Sequence, residues 1–129
     1  MPERHLPRPT DAELTILNVL WDRGPSTVRQ VYEEVTAQRR IGYTTVLKFL
    51  QIMHGKGLVI RDESERTHVY YPRAGRQQTQ RQLVGDLVER AFGGSALTLV
   101  QQALSSRRAS QEELAEIRRL LDQMEGGKR

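Results

Sequence analysis

Apolar residues in the first 60 positions recur at helical spacing in three separate runs. The runs are Leu14, Leu17, Leu20 and Trp21; then Val28, Val31, Tyr32 and Val35; then Val46, Phe49, Leu50 and Met53. Side chains at positions i, i+3, i+4 and i+7 share one face of an α-helix, so each run predicts an amphipathic helix with one buried side. The sequence therefore predicts three consecutive helices before residue 60.

Capping and stop signals mark the ends of these helices. Thr10 and Thr27 each begin a capping box, in which the hydroxyl and the side chain three residues later satisfy free amides of a first helical turn. Glycines supply the stops: Gly24, followed by a proline, for the first helix, and Gly55 or Gly57 for the third. Short turns therefore connect the three helices.

Two short β-prone runs follow the third helix. Residues 58–61 and 66–71 are rich in β-branched and aromatic side chains, and the charged residues 62–65 separate them. Such a pattern predicts an antiparallel hairpin. The turn contains neither Asn-Gly nor Asp-Gly, so its type stays open.

From about residue 76 the pattern becomes helical again. An apolar stripe runs from Leu83 to Phe92, a Gly-Gly-Ser break follows, residues 96–104 form a shorter helical run, and a capping box at Ser110 opens a last helix. We predict a mainly α fold with a small β-hairpin. Its parts are a disordered arm at residues 1–9, a winged helix-turn-helix domain at 10–75 and a helical dimerisation domain at 76–129.

Charge is distributed unevenly along the chain. The net charge is +4, and five basic residues but no acidic ones lie between positions 39 and 61: Arg39, Arg40, Lys48, Lys56 and Arg61. A basic segment in an otherwise balanced chain is what phosphate contact requires, although a solvated surface explains the charge equally well.

The third predicted helix has a polar face opposite its apolar one. Thr44, Lys48, Gln51 and Gly55 share that face, which is small and free of carboxylates. A helix that enters the major groove needs these properties, and free amides in the first turn, near Thr45, favour a phosphate. Taken alone, the face is that of an ordinary surface helix. The order of three helices and a hairpin is typical of a winged helix that reads duplex DNA.

Composition argues against an enzyme and against a metal site. The chain has no cysteine and three histidines, and it lacks the His-Glu-x-x-His, Gly-x-Ser-x-Gly and P-loop patterns. Ser110 and Glu113 are explained by capping rather than by catalysis. We therefore expect no catalytic residue, no metal ligand and no cofactor. Without a secretion signal or a membrane-spanning apolar run, we expect a cytoplasmic protein that does not insert into membranes.

Four segments of the chain closely resemble the BlaI/MecI/CopY family of bacterial repressors. They are LTILNVLWDRGPSTVRQVYEEV, GYTTVLKFLQIMHGKGLVIRDES and RTHVYYP in the first half and LVGDLVERAFGGSALTLVQQAL in the second half. The resemblance spans residues 10–124. It implies a homodimer that binds inverted-repeat (palindromic) operators on double-stranded DNA. It also implies a membrane sensor metalloprotease that relieves repression by cutting the repressor.

The resemblance assigns roles to particular residues. Those that match the DNA-reading helix are Tyr43, Thr44, Thr45, Lys48 and Gln51. Those that match the wing are Arg66, Thr67 and His68, and those of the second helix that reach the DNA backbone are Thr27 and Arg29. The segment that aligns with the cleavage region of β-lactam-responsive members is Phe92, Gly93, Gly94, Ser95 and Ala96.

The apolar residues of the second half are too few for a core of their own, and dimerisation is the natural way to bury them. They include Leu83, Leu87, Leu97, Leu114, Ile117 and Leu121. Packing back onto the winged helix of the same chain is the alternative. Two alternatives concern function. In these, the protein is either a winged helix that binds another protein or a repressor that binds a small molecule directly.

Two departures from the family pattern matter. The copper-responsive branch uses a carboxy-terminal cysteine motif, which this chain lacks, so copper sensing by that route is excluded. Leu47 and Thr44 stand where staphylococcal members carry arginine and lysine, so the base preference is expected to differ.

Overall fold

The computed structural model describes residues 7–126. The elements in chain order are α1 (Asp11–Arg23), α2 (Val28–Thr36), α3 (Tyr43–Lys56), β1 (Val59–Asp62), β2 (Val69–Pro72), α4 (Arg76–Ala91), α5 (Ala96–Ser106) and α6 (Gln111–Gly126). This order confirms the predicted mainly α fold with a small hairpin. Most of the predicted arm (residues 1–6) and the last three residues of the predicted second domain lie outside the described residues.

The capping boxes predicted at Thr10 and Thr27 form at the starts of α1 and α2. The Thr10 hydroxyl accepts from the Glu13 amide at 3.2 Å, and the Glu13 carboxylate accepts from the Thr10 amide at 2.9 Å. Thr27 and Gln30 make the same reciprocal pair. At the other end of the helical region, Gly57 rather than Gly55 ends α3, because it takes a left-handed conformation (φ 85°) that L side chains rarely adopt.

The hairpin is antiparallel and is joined to the turn between α1 and α2. Arg61 pairs with Tyr70 in its register. The amide of Ser26 donates to the Tyr70 carbonyl at 3.0 Å, and the Tyr70 amide donates back at 2.8 Å. Ser26 is fully buried, and its hydroxyl donates to the Gly24 carbonyl. These bonds, which the sequence did not predict, attach the wing to the helical core.

One hydrophobic core joins the three helices and the hairpin. Its buried members are Ile16, Leu17, Val19, Leu20, Val31, Val35, Val46, Leu50, Met53, Leu58, Val59 and Tyr70. Leu14, Val28, Tyr32 and Phe49, which the periodicity also placed on the inner faces, are partly buried around it. Trp21 packs there as well, and its indole N–H donates to the Ala74 carbonyl at 3.0 Å.

The chain divides into two compact units, residues 1–84 and 85–129. The division lies within α4, so the predicted boundary at 75/76 stays a prediction. In the second unit, α4 ends at Ala91, and Gly93 and Gly94, which follow it, both have positive φ. The Gly94 amide donates to the Val88 carbonyl at 2.8 Å. Ser95 then caps α5 by accepting from the Thr98 amide. No residue from 85 to 126 is buried within the single chain.

Candidate nucleic-acid interface

An open cleft with a volume of about 310 Å³ lies where α2, α3 and the wing meet. Its lining residues are Thr27, Val28, Arg29, Tyr43, Leu47, Gln51, Arg61, Arg66, Thr67, His68 and Tyr70. Seven of the ten residues predicted to bind DNA are among them, although they come from three separate segments of the sequence. The described residues that line the cleft include three arginines and no carboxylate. Such a surface suits a polyanion.

Arg29 is held in this cleft by two aromatic rings. Its guanidinium carbon lies 5.5 Å from the centre of the Tyr43 ring and 5.9 Å from that of Tyr32. The two rings are themselves in edge-to-face contact, with centroids 5.7 Å apart. Cation–π contacts of this kind restrict the arginine without neutralising it. The guanidinium therefore keeps its charge available to a phosphate.

The remaining predicted residues of α3 lie on its solvent-facing surface rather than in the cleft. Thr44, Thr45 and Lys48 are exposed, whereas Val46 and Leu50 on the opposite side are fully buried. The N-cap of α3 is a glycine, and no side chain caps the helix. The first-turn amides thus have no side-chain acceptor, an arrangement that favours an anion.

The predicted wing residues lie in the loop between the two strands. Arg66, Thr67 and His68 are all exposed and all line the cleft. At the start of the loop, the Asp62 carboxylate accepts from the Ser64 amide at 2.9 Å. This bond lowers the pKa of Asp62 below its ordinary value and keeps the carboxylate charged. The wing therefore carries acidic residues at its base and basic ones on the side that faces the cleft.

Four residues that line the cleft were not predicted as site residues: Val28, Leu47, Arg61 and Tyr70. Arg61 was counted only as part of the basic segment, and Leu47 only as a departure from the family pattern. The alternation of strand β1 is the signal that points to Arg61, because it shares a face with the buried Val59. That face turns toward the helices and so toward the cleft.

Lys56, by contrast, is engaged within the protein. Its ammonium group lies 2.8 Å and 2.9 Å from the two carboxylate oxygens of Glu13. Burial by itself would raise the pKa of Glu13, but hydrogen bonds from Lys56 and from the Thr10 amide outweigh it and lower that pKa. Lys56 therefore joins the end of α3 to the start of α1, and the basic segment is not wholly available to phosphates.

The predicted dimerisation residues all lie on helices and none is buried in the single chain. Leu83, Leu114 and Ile117 are half-buried, while Leu87, Leu97 and Leu121 are exposed. Leu97 has 67% of its surface exposed and Leu121 has 55%. Exposed leucines at this level are unusual in a chain that acts alone.

The predicted cleavage segment is the connection between α4 and α5. Phe92 and Ser95 are half-buried, whereas Gly93, Gly94 and Ala96 are exposed. Hydrogen bonds within the connection run from the Phe92 amide to Val88 and from the Ser95 amide to Phe92. The segment is thus a hydrogen-bonded turn with an exposed surface.

Three helices, a wing hydrogen-bonded to the helical core and a basic cleft between them define a winged helix-turn-helix protein of the DNA-binding class. The chain belongs to the penicillinase repressor family, whose sequence model matches residues 9–123. The comparisons with individual proteins agree with this assignment.

The chain is 35% identical to the transcriptional regulator BlaI of Mycobacterium tuberculosis over 125 residues, which cover 95% of this chain and 88% of the relative. It is 20% identical to the methicillin resistance regulatory protein MecI of Mammaliicoccus sciuri, over 88% of this chain and 92% of that protein. The solution structure of monomeric Bacillus licheniformis BlaI in complex with the blaP half-operator matches 57% of this chain and 89% of its own, with 23% identity and a TM-score of 0.51.

Family membership makes this chain a DNA-binding transcriptional repressor of the winged-helix type and not an enzyme. The sequence-based assignment to the BlaI/MecI family is thereby confirmed. Among residues 7–126, no helix is long and apolar enough to cross a membrane.

Proposed function

We propose that this repressor binds inverted-repeat operators as a homodimer, with α3 in the major groove and the wing against the neighbouring backbone. The observation that carries the proposal is the cleft in which Arg29, Gln51 and the wing residues Arg66 to His68 come together without a carboxylate. Gln51 offers an amide suited to base edges, while the arginines offer charge to phosphates. The BlaI of Bacillus licheniformis has been solved with a half-operator, which supports the same kind of partner here.

The exposed leucines of the second unit support the homodimer. A second copy would cover the side chains of α5 and α6 that a single chain leaves in water, such as Leu97 and Leu121. A two-fold symmetric dimer presents two recognition helices, which match two half-sites about one DNA turn apart (~34–36 Å) or a multiple of it. Joint binding of both half-sites raises affinity about 10²–10⁴-fold over a single head.

Proteolysis would relieve repression because tight operator binding depends on two DNA-binding domains held together in one dimer. We propose that a membrane sensor metalloprotease cuts within residues 92–96. Gly93 and Gly94 are exposed small residues in a connection between helices, the type of site that proteases nick most readily. Both occupy left-handed conformations, so the turn must open before it can enter an extended protease cleft. A cut there would separate most of the dimerisation region from the DNA-binding domain and lower affinity without altering α3.

The test is a fluorescence-anisotropy titration of the full chain onto duplexes from its own upstream region, with scrambled duplexes as the comparison. We expect selective binding with a slope of log K against log salt of about −0.9 for each phosphate contacted. Lys48→Ala should weaken operator binding by about 1–3 kcal/mol if the lysine also reads a base.

Arg23→Ala is the matched control, because Arg23 pairs with Glu34 at 3.1 Å and does not line the cleft. Equal effects of Lys48→Ala and Arg23→Ala would show that α3 has no special role. Equal and weak binding of all duplexes, including a random-sequence selection library, would refute the proposal. It would favour a winged helix that binds a protein.

A further inference from the structure

Arg61 occupies a position from which it can contact DNA. It lies on β1, lines the cleft with Arg29 and Arg66, and pairs across the hairpin with Tyr70. The neighbouring Tyr70 and Glu63 side chains raise the pKa of Arg61 above its ordinary value, so its positive charge is constant. Arg61 thus lies at the edge of the cleft, opposite the buried Tyr70 in the hairpin.

A carboxylate of the wing occupies this guanidinium in the free protein. The Nε of Arg61 donates to Oε2 of Glu63 at 2.5 Å, and the Glu63 side chain is 51% exposed. Arg61 lowers the pKa of Glu63, and the nearby His68 and His54 add to that effect. Glu63 is therefore ionised at neutral pH and is paired with Arg61.

A phosphate and a carboxylate compete for the same donors of a guanidinium. Both accept two parallel N–H bonds from arginine, and both carry negative charge. A DNA backbone in the cleft would meet Glu63 beside Arg61 and would be repelled by it. A phosphate contact that uses the Nε donor of Arg61 therefore requires that Glu63 release it and move its exposed side chain into solvent.

We propose that Arg61 is a further DNA-phosphate contact and that Glu63 competes with DNA for it. The inference rests on the proposed DNA-binding function of this cleft. In the free repressor the pair lowers the attraction of the wing for any polyanion. On a fully engaged site a DNA phosphate replaces the Glu63 carboxylate on Arg61. Glu63 thereby opposes weak, sequence-independent binding.

Two variants that remove the same charge from the same wing provide the test. Glu63→Gln removes the competitor of Arg61. Glu65→Gln is the matched control, because Glu65 is also exposed and has no described ion pair with Arg61. Each is measured alone and together with Arg61→Gln, on a fluorescein-labelled random-sequence 20-base-pair duplex and on an operator duplex, across a salt series. Circular dichroism checks folding, and Arg61→Met, which also removes the charge, replaces Arg61→Gln if the glutamine variant unfolds.

We expect Glu63→Gln to bind the random duplex about two- to fivefold more tightly than Glu65→Gln, the scale on which exposed ion pairs act. This difference should vanish in the Arg61→Gln background. Arg61→Gln should also reduce the salt slope by about 0.9, the value for one lost phosphate contact.

Three results would overturn the inference: equal effects of the two wing variants, a gain that persists without Arg61, or weaker binding by Glu63→Gln. The last would mean that Glu63 positions Arg61 rather than competing for it. Absence of DNA binding by the wild-type protein would instead overturn the proposed function itself.

Discussion

The ion pair between Glu13 and Lys56 joins the start of α1 to the end of α3, and Lys56→Met tests what it contributes. The Glu13 side chain is 3% exposed and that of Lys56 is 36% exposed. Replacing the lysine by an apolar side chain of similar length leaves the carboxylate buried, with the Thr10 amide as a remaining donor. The variant should therefore be destabilised.

The magnitude follows from the exposure of the two partners. Loss of one partner from a fully buried pair costs about 3–5 kcal/mol, whereas exposed pairs contribute about 0–1 kcal/mol. Because solvent reaches Lys56 but barely reaches Glu13, we expect a loss of about 2 kcal/mol in the free energy of unfolding.

Urea unfolding of the full chain, followed by tryptophan fluorescence, measures this loss. Trp21 is the single tryptophan and lies on α1 in the same unit as the ion pair, so its emission reports on the relevant transition. Arg23→Met removes the more exposed ion pair between Arg23 and Glu34, in which the two side chains are 36% and 49% exposed respectively. This change should lower the free energy of unfolding by less than about 1 kcal/mol.

The double variant Glu13→Gln/Lys56→Met sharpens the test. Glutamine keeps an oxygen for the Thr10 amide but removes the buried charge, so the double variant should be more stable than Lys56→Met alone. The reasoning is refuted if Lys56→Met costs no more than Arg23→Met, or if glutamine at position 13 restores nothing.

Three further outcomes are expected. The folded-state pKa of Glu13 is lowered from 4.5, so the contribution of this carboxylate to stability is present above that pH and is lost as the pH falls through the folded-state value. Urea midpoints measured from pH 7 to pH 3 should therefore fall less steeply for Glu13→Gln than for the wild type. Parallel curves for the two proteins would contradict this. Tyr32→Leu removes one of the two aromatic rings that contact Arg29 and should weaken DNA binding about two- to fivefold in anisotropy titrations, whereas Tyr32→Phe should not. An equal loss of binding in both variants would indicate that the Tyr32 hydroxyl, and not the ring, contributes. If the proposed homodimer forms through α5 and α6, Leu97→Glu should raise its dissociation constant at least about tenfold in sedimentation velocity, since each buried leucine contributes ~1.5–3 kcal/mol and a two-fold interface contains two copies. An unchanged constant would contradict an interface at Leu97.

The sequence by itself determined the secondary structure and the fold class. The capping boxes at Thr10 and Thr27 and the helical spacing of Val46, Leu50 and Met53 involve residues within a few positions of each other. The glycine stop of α3 is local too, but the sequence left it open between Gly55 and Gly57. Such local interactions can be recognised without knowing the rest of the fold. The family resemblance added the identities of the residues expected on the DNA-reading helix and the wing.

Tertiary structure alone decided which of these residues meet and which charges remain available. From the sequence, Lys56 belonged to a basic segment suited to phosphate contact. In the structure it pairs with Glu13, which lies 43 positions away in the sequence. From the sequence, Arg61 was one residue of a predicted strand. In the structure, Ser26 pairs with Tyr70 and attaches the hairpin to the helices, and Arg61 therefore lines the cleft. Contacts between distant segments depend on how the core packs, and neither periodicity nor spacing encodes that packing.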